Sequence, residues 1–249
     1  MIREGRLLYS LRTAFLIFLY GLIVLLIIPV LLIFFILGIR KPLLELGKWA
    51  MGIGKRILRI EIEVLGLDRF DPTGSYVFMA NHLSFIDGPL LFYVIPQIVR
   101  VFIKKEVFRL PVVGLGMKHV HFIPVDRKRL RGGRWSIERA ARLMKERGYS
   151  FLIFPEGTRS RDGRLQDFRR GGFFLALETA APIVPITLIG TFELMPRGQF
   201  HVKPGKVKVV FHSPVPVTGY NKDSIDQLIK EVRNQIALAL PEPYRPLSS

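Results

Sequence analysis

Between Thr13 and Ile39 the chain carries no charged side chain. As a helix that stretch would be roughly 40 Å long, against a hydrocarbon core of roughly 30 Å. It is too long for the core of a signal peptide, and no small-residue cleavage site follows it. Its flanks are basic on both sides, with Arg3, Arg6 and Arg12 before it and Arg40, Lys41 and Lys48 after it. A spanning helix collects Lys and Arg on one side of the bilayer. Equal flanks fit a segment that enters one leaflet and returns. Pro29 near the middle, with Gly21 and Gly38, offers places to bend. Residues 1–41 are therefore expected to form a membrane anchor, a re-entrant two-helix motif rather than a single span. Residues 42–59 mix Leu43, Leu44, Leu46 and Trp49 with Lys48, Lys55 and Arg56. That mixture predicts an amphipathic segment at the lipid interface.

From residue 60 onward the pattern changes. Short β-branched or aromatic runs at 60–65, 76–79, 99–104, 121–124, 151–154, 183–189 and 207–211 read as strands bounded by Gly, Pro or charge. Between and after them, 135–147, 170–179 and 224–240 read as helices. The last has Ile225, Leu228, Ile229, Val232 and Ile236 at helical spacing and Pro241 as its stop. The alternation predicts an α/β domain over 60–249, with a largely parallel central sheet of about seven strands covered by helices.

The chain has no cysteine, which excludes disulfides, Cys-ligated zinc and a Cys nucleophile. His119 and His121 would share one face of a strand, but no further ligand sits at a supporting spacing, so no metal is expected. The net charge of +17 calls for an acidic partner. Nucleic acid, anionic lipid and an acidic carrier protein all qualify by charge. No nucleic-acid module or aromatic-interleaved basic helix is present, so nucleic acid is not expected as a partner.

Two segments carry chemistry: Asn81-His82-Leu83-Ser84-Phe85-Ile86-Asp87 and Phe154-Pro155-Glu156-Gly157-Thr158-Arg159-Ser160. Each follows a predicted strand, so in a parallel sheet both reach the carboxyl edge, where open α/β sheets bind ligands. His82 and Asp87 are too far apart in register to face each other on a continuous helix. A turn leading into a helix would let the carboxylate fold back onto the imidazole and fix its tautomer for general-base work. By spacing alone the same pattern is more often a turn histidine near an unrelated acid. Ser84 is the competing nucleophile, or a helix cap; there is no G-x-S-x-G elbow. The second segment offers Glu156, the amides of Gly157 and Thr158, and the planar fork of Arg159, which suits phosphate. Arg161, Arg164, Arg169 and Arg170 add positive charge nearby. Lys104, Lys105 and Arg127 lie at other predicted strand ends.

These blocks resemble those of the glycerophospholipid acyltransferases, most closely the bacterial 1-acylglycerol-3-phosphate acyltransferases. The N-H-x-S-F-x-D and F-P-E-G-T-R-S blocks match without a gap. Residues 121–127 look like the family's second block, although Pro124-Val125 replaces the usual pattern, and 182–185 looks like the fourth. The likeness covers roughly residues 76–189. It implies a general base at His82 oriented by Asp87, and an acceptor phosphate on Arg159. Lys105 and Arg127 would be further phosphate ligands, and Glu156, Gly157 and Thr158 would shape the acceptor pocket. The Gly157 N–H is a candidate oxyanion donor. The resemblance further implies an enzyme of the inner (cytoplasmic) membrane, with its catalytic domain facing the cytoplasm and no cofactor. Acyl-CoA or acyl-carrier-protein would be the donor, lysophosphatidic acid the acceptor and phosphatidic acid the product. Rival readings are another acceptor, glycerol 3-phosphate or a larger lysophospholipid, and a non-catalytic anionic-lipid-binding protein.

Overall fold

A computed structural model describes residues 2–126 and 130–246. Helix α1 (Ile2–Ile36) is followed by α2 (Lys41–Ile57) and strand β1 (Ile60–Leu65). Then come β2 (Val77–Ala80), α3 (Asp87–Val94), β3 (Val99–Lys104), α4 (Val113–His119), β4 (Ile123–Val125) and α5 (Leu130–Arg147). The chain closes with β5 (Ser150–Ile153), α6 (Gly171–Thr179), β6 (Ile183–Ile189), α7 (Thr191–Leu194), β7 (Gly205–Phe211) and α8 (Ile225–Ala239).

The strands form one seven-stranded sheet in the order β1-β7-β6-β2-β5-β3-β4. The five strands from β6 to β4 run parallel. β7 is antiparallel to β6, and β1 is parallel to β7. The sheet is thus largely parallel, with a reversed pair at one edge. β2 and β5 are buried along their whole length, as central strands covered on both faces must be. Alternate residues divide between two cores. Phe78, Leu152, Val184 and Val209 join α2 and α3 on one face. Met79, Phe151, Phe173 and Leu228 join α5, α6 and α8 on the other.

The N-terminal block departs from its expected shape in one respect. No break occurs at Pro29, which lies inside a continuous α1. Proline removes one amide donor, whereas a full break in an apolar setting would strand several backbone groups. The bend falls instead at Gly38, with φ 67°, where Ile39 N–H donates to Phe34 O at 2.9 Å. The helix that follows this bend is α2, the segment expected to be interfacial. Tyr20 on α1 donates to Ala50 O on α2 at 2.8 Å and ties the two together. Gly5–Val30 of α1 is long and apolar enough to cross a membrane.

Candidate active site

β2 and β5 are adjacent and parallel, so the two sequence segments leave the sheet side by side at its carboxyl edge. Pairing of β2 with β6 ends at Ala80↔Ile186. Beyond it the Asn81 amide replaces a backbone rung. Its Nδ2 donates to Leu188 O at 2.9 Å, and its Oδ1 accepts from Leu188 N–H at 2.7 Å. The main chain can then leave the sheet without orphaning β6, which presents His82 at the rim.

The turn expected between His82 and Asp87 is present. His82 Nδ1 lies 2.8 Å from Asp87 Oδ2, with the imidazole side chain 15% exposed and the carboxylate fully buried. The same oxygen accepts from Leu83 N–H at 2.6 Å and Ser84 N–H at 2.7 Å. Asp87 opens α3, where backbone amides favour negative charge. With Nδ1–H directed at a carboxylate, Nε2 is the bare acceptor. It makes no hydrogen bond among the described residues. The imidazole also stacks on Phe154, with centroids 4.1 Å apart at 19°. Sequence reasoning gave Phe154 no role, because stacking across two strands leaves no local pattern.

The second segment is latched to the first through His82's backbone. His82 N–H donates to Glu156 Oε1 at 2.7 Å, and His82 O accepts from Ser160 N–H at 2.8 Å. Glu156 Oε2 accepts from Gln166 Nε2 at 2.7 Å. Glu156 is therefore a buried clamp beneath the site. Gly157 has φ 71°, and a Cβ there would lie 2.8 Å from Arg169 Nε. Its N–H is committed to Phe154 O at 3.0 Å. This corrects its expected role as an oxyanion donor: the tight turn that needs glycine uses that amide internally.

Arg159 is half-buried, and its guanidinium carbon sits 6.0 Å from the exposed Phe85 ring. Arg197, which no motif flagged, donates to Arg159 O at 3.3 Å and stands 3.5 Å from Thr158 Oγ1. Arg169 covers Gly157. Two of the arginines expected nearby are otherwise engaged. Arg170 pairs with Asp226 at 2.6 Å, and Arg164 lies 4.0 Å from Asp162. Lys105 follows β3 at the same edge, but its ammonium is 2.5 Å from Asp126 Oδ2. Arg127 lies outside the described residues. Ser84 is fully buried and donates to Met195 O at 2.8 Å. It neither caps α3 nor offers a free hydroxyl. His119 and His121 do not share a strand face, since His119 ends α4 and His121 sits in a turn with φ 63°.

Burial pushes the Glu156 carboxyl from 4.5 up to about 7, against the opposing pull of its hydrogen bonds to His82 and Gln166. The folded state thus holds that proton more tightly than the unfolded chain. The group's contribution to stability is full below pH 4.5 and lost as pH rises through about 7. The alkaline cost is about 3 kcal/mol. His121 and His212, both held down at about 4 by burial, run the other way. Their contributions are full above pH 6.5 and lost as pH falls through about 4. Subtracting the parent's unfolding free energy from that of Glu156→Gln isolates the carboxyl. Between pH 4.5 and 7 the difference should move in the variant's favour by about 3 kcal/mol. A difference that does not change with pH would refute the shift.

Comparison with known proteins agrees with this geometry. The acyltransferase family matches residues 61–189. A 1-acyl-sn-glycerol-3-phosphate acyltransferase of Limnanthes douglasii is 34% identical over 193 residues, covering 78% of this chain and 68% of the relative. A chloroplastic enzyme of the same name from Brassica napus, BAT2, is 38% identical over 177 residues, 70% of this chain and 49% of its own. The crystal structure of the 1-acyl-sn-glycerophosphate acyltransferase PlsC from Thermotoga maritima superposes with a TM-score of 0.79 at 25% identity, covering 95% of each chain. The chain belongs to the acyltransferase family, with the 1-acyl-sn-glycerol-3-phosphate acyltransferases among its relatives.

Proposed function

We propose that this acyltransferase moves an acyl chain from a thioester to the sn-2 hydroxyl of lysophosphatidic acid, giving phosphatidic acid. The observation that carries the reading is the His82–Asp87 pair, 2.8 Å apart, on the same sheet edge as Arg159. The Arg159 fork holds the acceptor phosphate, with Arg197 and Arg169 adding charge to the same loop. His82 Nε2 takes the hydroxyl proton as that oxygen attacks the thioester carbon. The new C–O bond forms, the C–S bond breaks as the tetrahedral intermediate collapses, and the imidazolium returns its proton to the thiolate. Asp87 stabilises the imidazolium between these steps. Transfer is direct, because the Ser84 hydroxyl is buried and spent on Met195 O. The donor is acyl-CoA or acyl-carrier-protein.

The anchor lies within one leaflet. Thr13 Oγ1 accepts from Val202 N–H at 3.1 Å, and the Phe35 ring sits 5.4 Å from that of His119. These two contacts are separated along α1 by about 33 Å, the thickness of a hydrocarbon core. An upright span would carry them to opposite membrane surfaces, beyond the reach of one domain. Docking along the domain leaves the outer face of α1 for lipid, with Phe18 69% and Leu26 69% exposed. The membrane is the inner (cytoplasmic) one, and the domain faces the cytoplasm.

The test is purified protein with a panel of lyso-acceptors, both donors and identification of the lipid product. Phosphatidic acid from lysophosphatidic acid is the expected result. Thiol release with no lysophosphatidic acid consumed would refute the acceptor. Arg159→Ala should raise KM for the acceptor about 10- to 100-fold, as loss of a charged hydrogen bond does, with the donor KM unchanged. An unchanged acceptor KM would remove its role.

A further inference from the structure

At the sheet's opposite edge lies a second concave site. His121 just precedes β4, and Arg100 is the second residue of β3. His82, by contrast, follows the far end of β2. The two sites are thus a strand's length apart, about 15–20 Å. The cavity here measures about 350 Å³, with Arg40, Lys118, His121 and Arg139 as its polar lining and Phe35 and Leu115 as its apolar wall. Its shape is fixed by crossed hydrogen bonds. Arg40 Nε donates to His119 O at 2.9 Å, and His119 Nε2 lies 2.7 Å from Ile39 O. The bend between α1 and α2 is thereby pinned to the end of α4.

The charge in this cavity is one-sided. The charged side chains that line it are Arg40, Lys118 and Arg139, all positive, and Arg147 and Arg100 lie near enough to hold His121 down with them. No carboxylate pairs with any of these arginines or with Lys118 among the described residues. Behind the recess Arg100, 5% exposed, stacks on the Tyr149 ring at 3.7 Å, and its Nε, like His121 Nδ1, is buried with no hydrogen-bond partner among the described residues. Like charges gathered in a recess repel one another unless an anion sits between them. The recess also has an apolar annexe of about 170 Å³ between α1, α2 and α4. Ile28, Leu32, Leu43 and Val112 line it, and it shares Phe35, Leu115 and His119 with the cationic part. The pair of spaces is amphiphilic: cations at one end, hydrocarbon along a membrane helix at the other.

We infer that this recess seats an anionic phospholipid of the leaflet, phosphate on Lys118 and Arg139 beside Arg40, whose Nη1 also donates to Gly38 O at 3.0 Å, with its hydrocarbon between α1 and α4. It is an accessory lipid site, separate from the acceptor site at His82. A free phosphate or coenzyme A would satisfy the cations but leave the annexe unfilled. The lipid satisfies both, and α1 already brings the recess to the leaflet. The inference rests on the leaflet placement of α1 and not on the catalytic reading.

The experiment uses the full chain with phosphatidylcholine vesicles that contain photoactivatable phosphatidylglycerol, and maps the label by mass spectrometry. Label should concentrate on residues 35–40 and 115–118. Each basic side chain near an anionic surface is worth about five-fold in binding. Lys118→Gln with Arg139→Gln should therefore cut labelling there by about ten-fold or more. Turnover in neutral detergent micelles should stay at the parent level. Lys222→Gln with Lys230→Gln, two exposed lysines elsewhere, should leave labelling unchanged. Equal loss in both double variants, or label spread evenly along α1, would overturn the site. So would displacement of the label by coenzyme A or inorganic phosphate. A chain that labels normally but makes no phosphatidic acid would refute the catalytic reading alone.

Discussion

Replacing His82 with alanine is expected to lower kcat by roughly 10²–10⁴-fold, the usual contribution of a positioned general base. The size follows from what would be lost. Nε2 makes no hydrogen bond among the described residues, and its tautomer is fixed by a 2.8 Å contact to a buried carboxylate. Water in its place would be a far weaker base without orientation. The fold should survive, because Asp87 Oδ2 keeps Leu83 N–H and Ser84 N–H as donors. The imidazole, 15% exposed and stacked on Phe154, gives up that packing, but these backbone anchors of the turn stay in place. Thiol-release rates and thermal melts on one preparation check both halves. Turnover within ten-fold of the parent at an unchanged melting temperature would end the base assignment.

Asp87→Asn should be nearly as damaging to turnover, roughly 10²–10³-fold, for an electrostatic reason. An amide oxygen can still accept from the three donors that now meet Oδ2. It cannot supply the full negative charge that offsets the imidazolium. The amide nitrogen would take the place of Oδ1, which is buried with no hydrogen-bond partner among the described residues, so a stability loss of about 1–3 kcal/mol accompanies it. Asp87→Ala would strand two backbone amides as well and should be less stable than the asparagine variant. If Asp87→Asn kept parental turnover, the carboxylate would be a structural anchor for the 82–87 turn and nothing more.

Much of this was legible in sequence. β1, β3 and β6 begin and end at the residues that their β-branched runs mark, and Pro241 stops α8 as expected. The His82–Asp87 turn was readable because five residues cannot face each other on a helix but can across a bend. Other features had no local signature. The reversal of β7 depends on where the chain goes between Ile189 and Gly205, which periodicity does not encode. α4 was missed because Gly114 and Gly116 break its pattern. There Gly114 lies so close to Phe108 O that a Cβ would stand 2.2 Å away, a packing need invisible in one dimension. Arg197 and Gln166 reach the site from separate loops. Gly157 shows the converse limit: the glycine turn was recognised, but only coordinates show that its amide is used within the turn.

The latch through His82's main chain limits how such an enzyme can be controlled. A flap that opened over the substrate would need a hinge between the arginine loop and the base. Glu156 and Ser160 grip the same residue from either side and leave no such hinge. The Arg159 loop and His82 move together or not at all. On the proposed chemistry, lipids would slide past a stationary centre, and lateral passage would be the step that membrane fluidity tunes.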